Sequence, residues 1–356
     1  IRKNIPVIYL NIWDDYPAPY YNKAFYESCD ALLGISKQTV NINKLVLDNK
    51  AKNKIIEYVP HGLNTEMFYP IIDKENNKEF NEFKKSIFKE KNYEFVVFFN
   101  SRNIRRKQIP DTILAYRSFV DNLTLEQRDK TVLLLHTELV SEHGTDLPAV
   151  IDALVPDGYN IVFTQGKLDV KQMNYLYNIA DVQILLTSNE GWGLSLTEAL
   201  LTGTPIIANV TGGMQDQMRF EFEDGTWINF DADFPSNHRG TYKKHGEWAF
   251  PVYPSNISIV GSPTTPYIFD DRCRWEDAAE RLIEVYNLSK EERQERGMEG
   301  YKWATGDEAG FTSKHQADRF ITYTDKLFNT WEPREKYELI NTNEFKKPVL
   351  NHKLVY

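Results

Sequence analysis

Glu190 and Glu198 stand eight residues apart, with two glycines, Gly191 and Gly193, between them. The run is Leu185-Leu186-Thr187-Ser188-Asn189-Glu190-Gly191-Trp192-Gly193-Leu194-Ser195-Leu196-Thr197-Glu198-Ala199. An apolar stretch ends near Leu186, a glycine-containing turn follows, and a helix opens near Ser195. A carboxylate can accept two hydrogen bonds from vicinal hydroxyls, so such a pair suits a ribose or a hexose. The start of the helix offers unpaired N–H groups and the positive end of its dipole to a phosphate or an electron-rich oxygen. Gly191 and Gly193 let the backbone come close to a ligand. The spacing alone also fits a solvated Glu190, an exposed helical Glu198 and an ordinary turn. Complementary groups in other segments separate these possibilities.

One such segment is Phe98-Phe99-Asn100-Ser101-Arg102-Asn103-Ile104-Arg105-Arg106-Lys107, which puts four cations into six residues after an apolar run. A surface loop also looks like this. In a chain of net charge −9, however, cations gathered at a strand end favour an anion site. His136 follows Leu133-Leu134-Leu135 in a similar place, where a hydrogen-bonded structural histidine is the simpler expectation.

The elements that must position these residues are short apolar runs alternating with amphipathic stretches of helix length, the pattern of βα units and a parallel sheet. Strands are expected at Val7–Leu10, Ala31–Ile35 and Ile55–Val59, with helices over Tyr20–Cys29 and Lys37–Leu47 and an N-cap at Ser36. After a polar linker and surface helix over 71–92 the alternation restarts. The next strands are Phe95–Phe99, Thr131–Leu135, Ile161–Phe163, Val182–Leu186 and Pro205–Ala208. Helices fit Asp111–Asp121, Val170–Ala180, Leu196–Leu201, Trp275–Leu288, Lys290–Thr305 and Ser313–Trp331. The stretch 224–271 has no sustained period and reads as an ordered insertion anchored by Trp227, Phe234, Trp248, Phe250 and Tyr253. Phe311, Phe320, Tyr323, Phe328 and Trp331 read as a core-facing stripe on the last helix.

Taken together, Glu190-Gly-Trp-Gly-Leu…Glu198-Ala, Gly203-Thr204-Pro205-Ile206-Ile207-Ala208 and Gly212-Gly213 resemble the donor-site signature of GT-B glycosyltransferases. The specific resemblance is to the large retaining group, family 4, that carries the Glu-x7-Glu motif. Trp192 stands where that family usually has Phe, and Asp216 where a Glu often follows the paired glycines. It covers nearly all of residues 5–225 and the helices after 272; the insertion lies outside it.

The resemblance implies an α/β GT-B fold, two Rossmann-like doubly wound domains facing a cleft. Only three strands precede the linker, so the N-terminal domain is expected to be incomplete in this chain. The implied division is 1–70 for a partial acceptor-side domain, 71–92 for the linker and surface helix, and 93–310 for the donor domain. A C-terminal helix and tail, 311–356, would return toward the first domain.

By the same resemblance Arg102 and Lys107 hold the donor diphosphate, with Ser101 replacing a family glycine, and Glu190 orients the transferred sugar. Glu198 holds the ribose, and the backbone of Gly191, Trp192, Gly193, Leu194 and Ser195 lines the donor. Val162-Phe163-Thr164-Gln165-Gly166-Lys167-Leu168 resembles the loop that borders the nucleotide base, which brings in Gly166 and Lys167. Val59-Pro60-His61-Gly62 resembles the interdomain segment and places His61 and Gly62 along the cleft. Asp14, in Trp13-Asp14-Asp15, lies where many retaining relatives have a histidine, and it is read as lining or capping the cleft rather than binding metal.

The activity so implied is hexosyl transfer with retained configuration from a nucleotide-diphosphate sugar to an acceptor hydroxyl on a glycan, a lipid or a small molecule. No metal and no cofactor beyond the donor itself is implied. Epimerisation of a sugar nucleotide, phosphorolysis on the same fold, and a non-catalytic nucleotide-sugar-binding subunit remain as alternatives. The acidic balance argues against nucleic acid as a partner. No apolar run approaches the roughly 20 residues of a bilayer span. Two distant cysteines, Cys29 and Cys273, form no disulfide framework, so a reducing, cytoplasmic setting is expected. A homo-oligomer or an upstream segment completing the first domain are the expected structural partners.

Overall fold

In the computed structural model residues 5–164, 166–229 and 240–333 are described. The chain begins with three strands, β1 (Ile8–Asn11), β2 (Ala31–Gly34) and β3 (Ile55–Tyr58), paired in parallel in the order β1-β2-β3. Six more form a second parallel sheet: β4 (Phe95–Asn100), β5 (Thr131–His136), β6 (Ile161–Thr164), β7 (Val182–Leu185), β8 (Ile206–Asn209) and β9 (Ala249–Val252). Their order is β6-β5-β4-β7-β8-β9. An antiparallel hairpin of β10 (Asn256–Ser262) and β11 (Thr265–Arg272) stands apart from both sheets.

The central strands carry unbroken apolar runs because helices cover both faces of a parallel sheet. Phe95–Phe99 and Val132–Leu135 are buried throughout. The helix Lys37–Leu47 starts where Ser36 accepts the Thr39 amide, as expected of an N-cap. Over Tyr20–Cys29 the expected single helix is divided: a 3-10 turn, Tyr20–Asn22, follows Pro19, and the α-helix covers only Lys23–Ser28.

The stretch read as a non-periodic insertion holds both β9 and the hairpin. Pro251 removes an amide donor, and an edge position is where a strand tolerates that loss; β9 is the edge of its sheet. Trp248 and Phe250 are buried, and Trp227 and Tyr253 pack against the same core. Phe234 lies outside the described residues, as does the tail from 334 onward.

The last helix, Ser313–Thr330, lies against the first sheet: Lys326 pairs with Glu57 of β3 at 2.8 Å, and Arg319 sits over the Tyr58 ring. Its aromatic stripe is corrected in part. Phe311 is fully buried and Phe320 and Tyr323 half-buried, but Phe328 is 63% exposed. Leu327, one residue and about 100° earlier on the helix, takes the buried position. No helix among the described residues is long and apolar enough to cross a membrane.

Candidate functional site

The sheet order fixes where a ligand can sit. From β4 the chain runs outward to β5 and β6, then returns to the other side of β4 to lay down β7, β8 and β9. Beyond the carboxyl ends of β4 and β7 the connections therefore diverge, and the crevice at such a switch point is where open α/β sheets bind ligands. A cavity of about 750 Å³ opens there. Asn100, His136 and Thr164, register partners at the ends of β4, β5 and β6, line one side of it.

The two loops at the switch point are tied together. The carbonyl of Arg106, in the 3-10 turn Arg105–Lys107 after β4, accepts the Ser188 amide at 2.8 Å and the Thr187 hydroxyl at 3.0 Å. This brings the basic segment against the glutamate loop. Arg106 Nη1 donates to Glu190 Oε2 at 2.9 Å and to the Asn189 carbonyl at 2.7 Å. The Lys107 ammonium donates to the same carboxylate oxygen.

Burial alone would raise the Glu190 carboxyl, but Lys107 and Arg106 together hold it below its ordinary value. Burial draws the Lys107 ammonium down, opposed by Glu190 and reinforced by the neighbouring Arg106 charge. An anion arriving here meets two cations already fixed by one carboxylate.

Glu198 is in a different state. Burial pushes its carboxyl up to about 7, while hydrogen bonds from Tyr177 and from Asn100 Nδ2 work the other way. It lies one turn into the helix Leu194–Leu201, whose first residues follow Gly193 at φ 89°. A side chain at that φ would be strained, so glycine at 193 is what lets the loop turn into the helix. At Gly191 a Cβ would stand 2.7 Å from the Ile12 carbonyl oxygen. The glutamate loop and the segment after β1 thus touch through backbone.

Most of the residues singled out from sequence line this one cavity. Arg102, Lys107, Glu190 and Glu198 do so. So do Gly191, Trp192, Gly193, Leu194 and Ser195 of the loop and helix start. Gly166 and Lys167 after β6, and His61, Asp14 and His136, complete the set. Gln165 lies outside the described residues.

The Trp192 indole itself is only 2% exposed, bonded to Thr197 and packed edge-on against Phe311, so that residue offers backbone to the cavity. His136 Nδ1 bonds the Thr164 hydroxyl at 2.6 Å, and burial lowers both His136 and His61. Asp14 is raised, first by burial and further by Glu190, with Arg106 opposing.

Gly62 is the exception. It faces the start of the last helix: its amide donates to Gln316 at 3.2 Å, and a Cβ would meet the Thr312 carbonyl oxygen at 2.2 Å. Its place in the sequence next to His61 does not carry it into the cleft.

Three participants were not singled out in the sequence. Arg106, rather than Arg102, is the arginine on Glu190, while Arg102 is exposed at the cavity wall. Tyr177 and Asn100 hold Glu198 from two different elements, and no local spacing signals either. Among the described residues no group of three or more His, Cys, Asp or Glu side chains is gathered to hold a metal ion.

Residues 157–233, which include Glu190, Glu198 and the glycine pair, match the family model described as glycosyl transferases group 1. Over that stretch the chain is similar to the glycosyl transferases of group 1. An uncharacterized glycosyltransferase of Methanocaldococcus jannaschii is 24% identical over 137 residues, 37% of this chain and 32% of that protein. The matched stretch therefore spans about a third of that relative's length.

Among solved structures, a sucrose-phosphate synthase from Thermosynechococcus elongatus superposes with a TM-score of 0.57 at 19% identity, covering 87% of this chain and 61% of that one. HepE of Anabaena in complex with UDP and glucose gives a TM-score of 0.61 at 12% identity, over 90% and 72%. At these identities the two structures bear on the fold alone, which is the GT-B architecture of Rossmann-like units.

Proposed function

We propose that the protein is a retaining glycosyltransferase that moves a hexose-type sugar from a nucleotide-diphosphate sugar to an acceptor hydroxyl. The observation that carries this is the convergence of Lys107, Arg106 and Glu190 at the switch point, with Glu198 set further into the same cavity. The HepE complex with UDP and glucose, on a similar fold, supports a nucleoside diphosphate and a sugar as the ligand classes.

The donor diphosphate lies against Lys107, Arg106 and Arg102, the ribose against Glu198, and the sugar against Glu190 and the amides of 191–194. We assign residues 93–310 to donor binding and 1–70 to the acceptor side. In the transfer step the bond between the anomeric carbon and the phosphate oxygen breaks, and its electron pair leaves with the diphosphate. The acceptor oxygen forms the new bond from the same face, and its proton passes to the departing phosphate oxygen. Fixed cations stabilise the charge that develops on the leaving group. No further base is assigned.

The test is a calorimetric panel of UDP, GDP and ADP sugars followed by transfer assays with and without acceptor alcohols. We expect one nucleotide sugar to bind and its turnover to need an acceptor. Lys107→Ala should lower the transfer rate by about 10²–10³-fold, the cost of removing one preorganised charge-stabilising donor. Near-normal turnover in Lys107→Ala would sink the scheme, and conversion without acceptor would indicate an epimerase.

A further inference from the structure

A second cavity, about 430 Å³, opens beside the first and shares Ile12, Asp14 and Arg106 with it. Its remaining walls come from elsewhere. One wall is the first sheet and the segment after it, with the Tyr9 and Trp13 rings. The other is the hairpin, with Val260 and Ile268, which are register partners, and the Thr265 hydroxyl.

The hairpin is held in place through its second strand, β11. Its Phe269 amide donates to the Tyr16 carbonyl at 2.7 Å, and Tyr267 packs edge-on against Tyr21. On the other side Asp270 accepts Asn189 Nδ2 and the Ser188 hydroxyl of the donor loop, and the Asp271 amide donates to the Ser188 carbonyl at 2.8 Å. A stretch with no readable pattern thus walls a cavity that adjoins the donor loop.

Resting on the donor assignment above, we propose that this second cavity is the acceptor subsite, and that it takes the ring of a neutral hexopyranoside. Asp14 lines both cavities and accepts the Gly191 amide, so a hydroxyl bonded to it lies next to the loop that cradles the transferred sugar. The two aromatic rings and two aliphatic side chains suit the C–H faces of a pyranose, while Thr265, Asn189 and Asp14 meet its hydroxyl rim. The lining thus sets apolar rings and aliphatic side chains among polar and charged groups, and the volume lies within the range of small-molecule sites. The cations here, Arg105 and Arg106, are matched by the carboxyls of Asp14 and Asp270, which disfavours a strongly anionic occupant. Asp14 orients the attacking hydroxyl; the proton still leaves with the phosphate oxygen.

The experiment uses the full chain loaded with whichever of UDP, GDP or ADP it binds. Methyl α- and β-glycosides of glucose, galactose and mannose are titrated in by calorimetry. At least one should bind. Val260→Trp, which fills the cavity from the hairpin, should weaken it by at least about tenfold and leave nucleotide affinity unchanged. Thr265→Tyr, on the other strand of the hairpin, is the second filling variant and decides if Val260→Trp fails to fold. Asp14→Asn should raise the KM for the glycoside more than the KM for the donor. The inference is overturned if no glycoside binds the loaded protein, or if a nucleotide-competent filling variant binds the glycoside as well as wild type. A wild-type protein that binds no nucleotide would instead bring down the donor assignment itself.

Discussion

Glu198 gives the site a pH dependence of defined sign. Burial raises its carboxyl to about 7, so near neutrality a substantial fraction is protonated in the empty site. A protonated carboxyl loses acceptor capacity toward a diol. Nucleotide-sugar affinity should therefore rise as pH increases from about 6 to about 8, and Glu198→Gln should bind more weakly with that dependence abolished. Calorimetric Kd values across the range decide it; an unchanged slope in the variant would show that another group titrates. Glu190 and Glu198 were readable from residue type and spacing, as was the density of cations around Lys107. Which arginine meets Glu190 was not readable. Ile104 is extended, Arg105–Lys107 form a 3-10 turn and Gln108 is left-handed at φ 51°, and that irregular path aims Arg106 inward.

Elements pack here through glycines whose purpose is three-dimensional. Gly297 sits inside the helix Lys290–Thr305, where glycine weakens the helix by roughly 1 kcal/mol relative to alanine. Its place is explained by contact: a Cβ there would stand 1.9 Å from the Gly203 carbonyl oxygen, just after the helix Leu194–Leu201. Gly297→Ala should accordingly destabilise the protein by about 1–3 kcal/mol, the usual cost of overpacking, despite its better helix propensity. Urea denaturation measures this, and an increase in stability would show that the two helices can separate freely. Donor affinity at the far side of the helix should change little.

The central strands were legible because burial on both faces writes them as continuous apolar runs. β9 and the hairpin were not. β9 is four residues long, contains Pro251 and pairs on one side, and β10 is exposed over most of its length with an irregular register after Val260. β9, though buried, is too short and too interrupted to write a pattern, and the alternation of the hairpin is lost where its strands are exposed.

At the scale of the whole molecule, the two sheets are joined by buried polar groups. Asp216 Oδ2 accepts the Lys37 amide at 3.0 Å, at the start of the helix Lys37–Leu47, and Lys37 Nζ donates to the Ile228 carbonyl at 2.7 Å over the Trp227 ring. Asp216, noted in the sequence for its place after the glycine pair, thus acts between the sheets. Nearby, Asp15 of the first segment and Asp271 of the hairpin, both fully buried, meet across the Thr211 hydroxyl, which lies 3.4 Å from Asp15 and 2.7 Å from Asp271. Burial, and then the Asp271 carboxylate, push Asp15 well above its ordinary value.

The sign of the consequence follows from linkage. The folded pair keeps a proton that unfolded aspartate releases near pH 4, so stability falls as pH rises from there through the raised value. In Asp271→Asn the like charge is gone, the Thr211 bond keeps an acceptor, and Asp15, still raised by burial, ionises more readily beside its remaining donors, the Tyr16 amide and Gln38 Nε2. The variant should thus lose less stability than wild type as pH rises above the ordinary aspartate range of about 4. Thermal unfolding of both proteins over a series of pH values makes the comparison. Parallel curves for the two proteins would mean that the carboxyls do not share this proton. The junction of hairpin, donor loop and first sheet would then owe its stability to the surrounding hydrogen bonds alone.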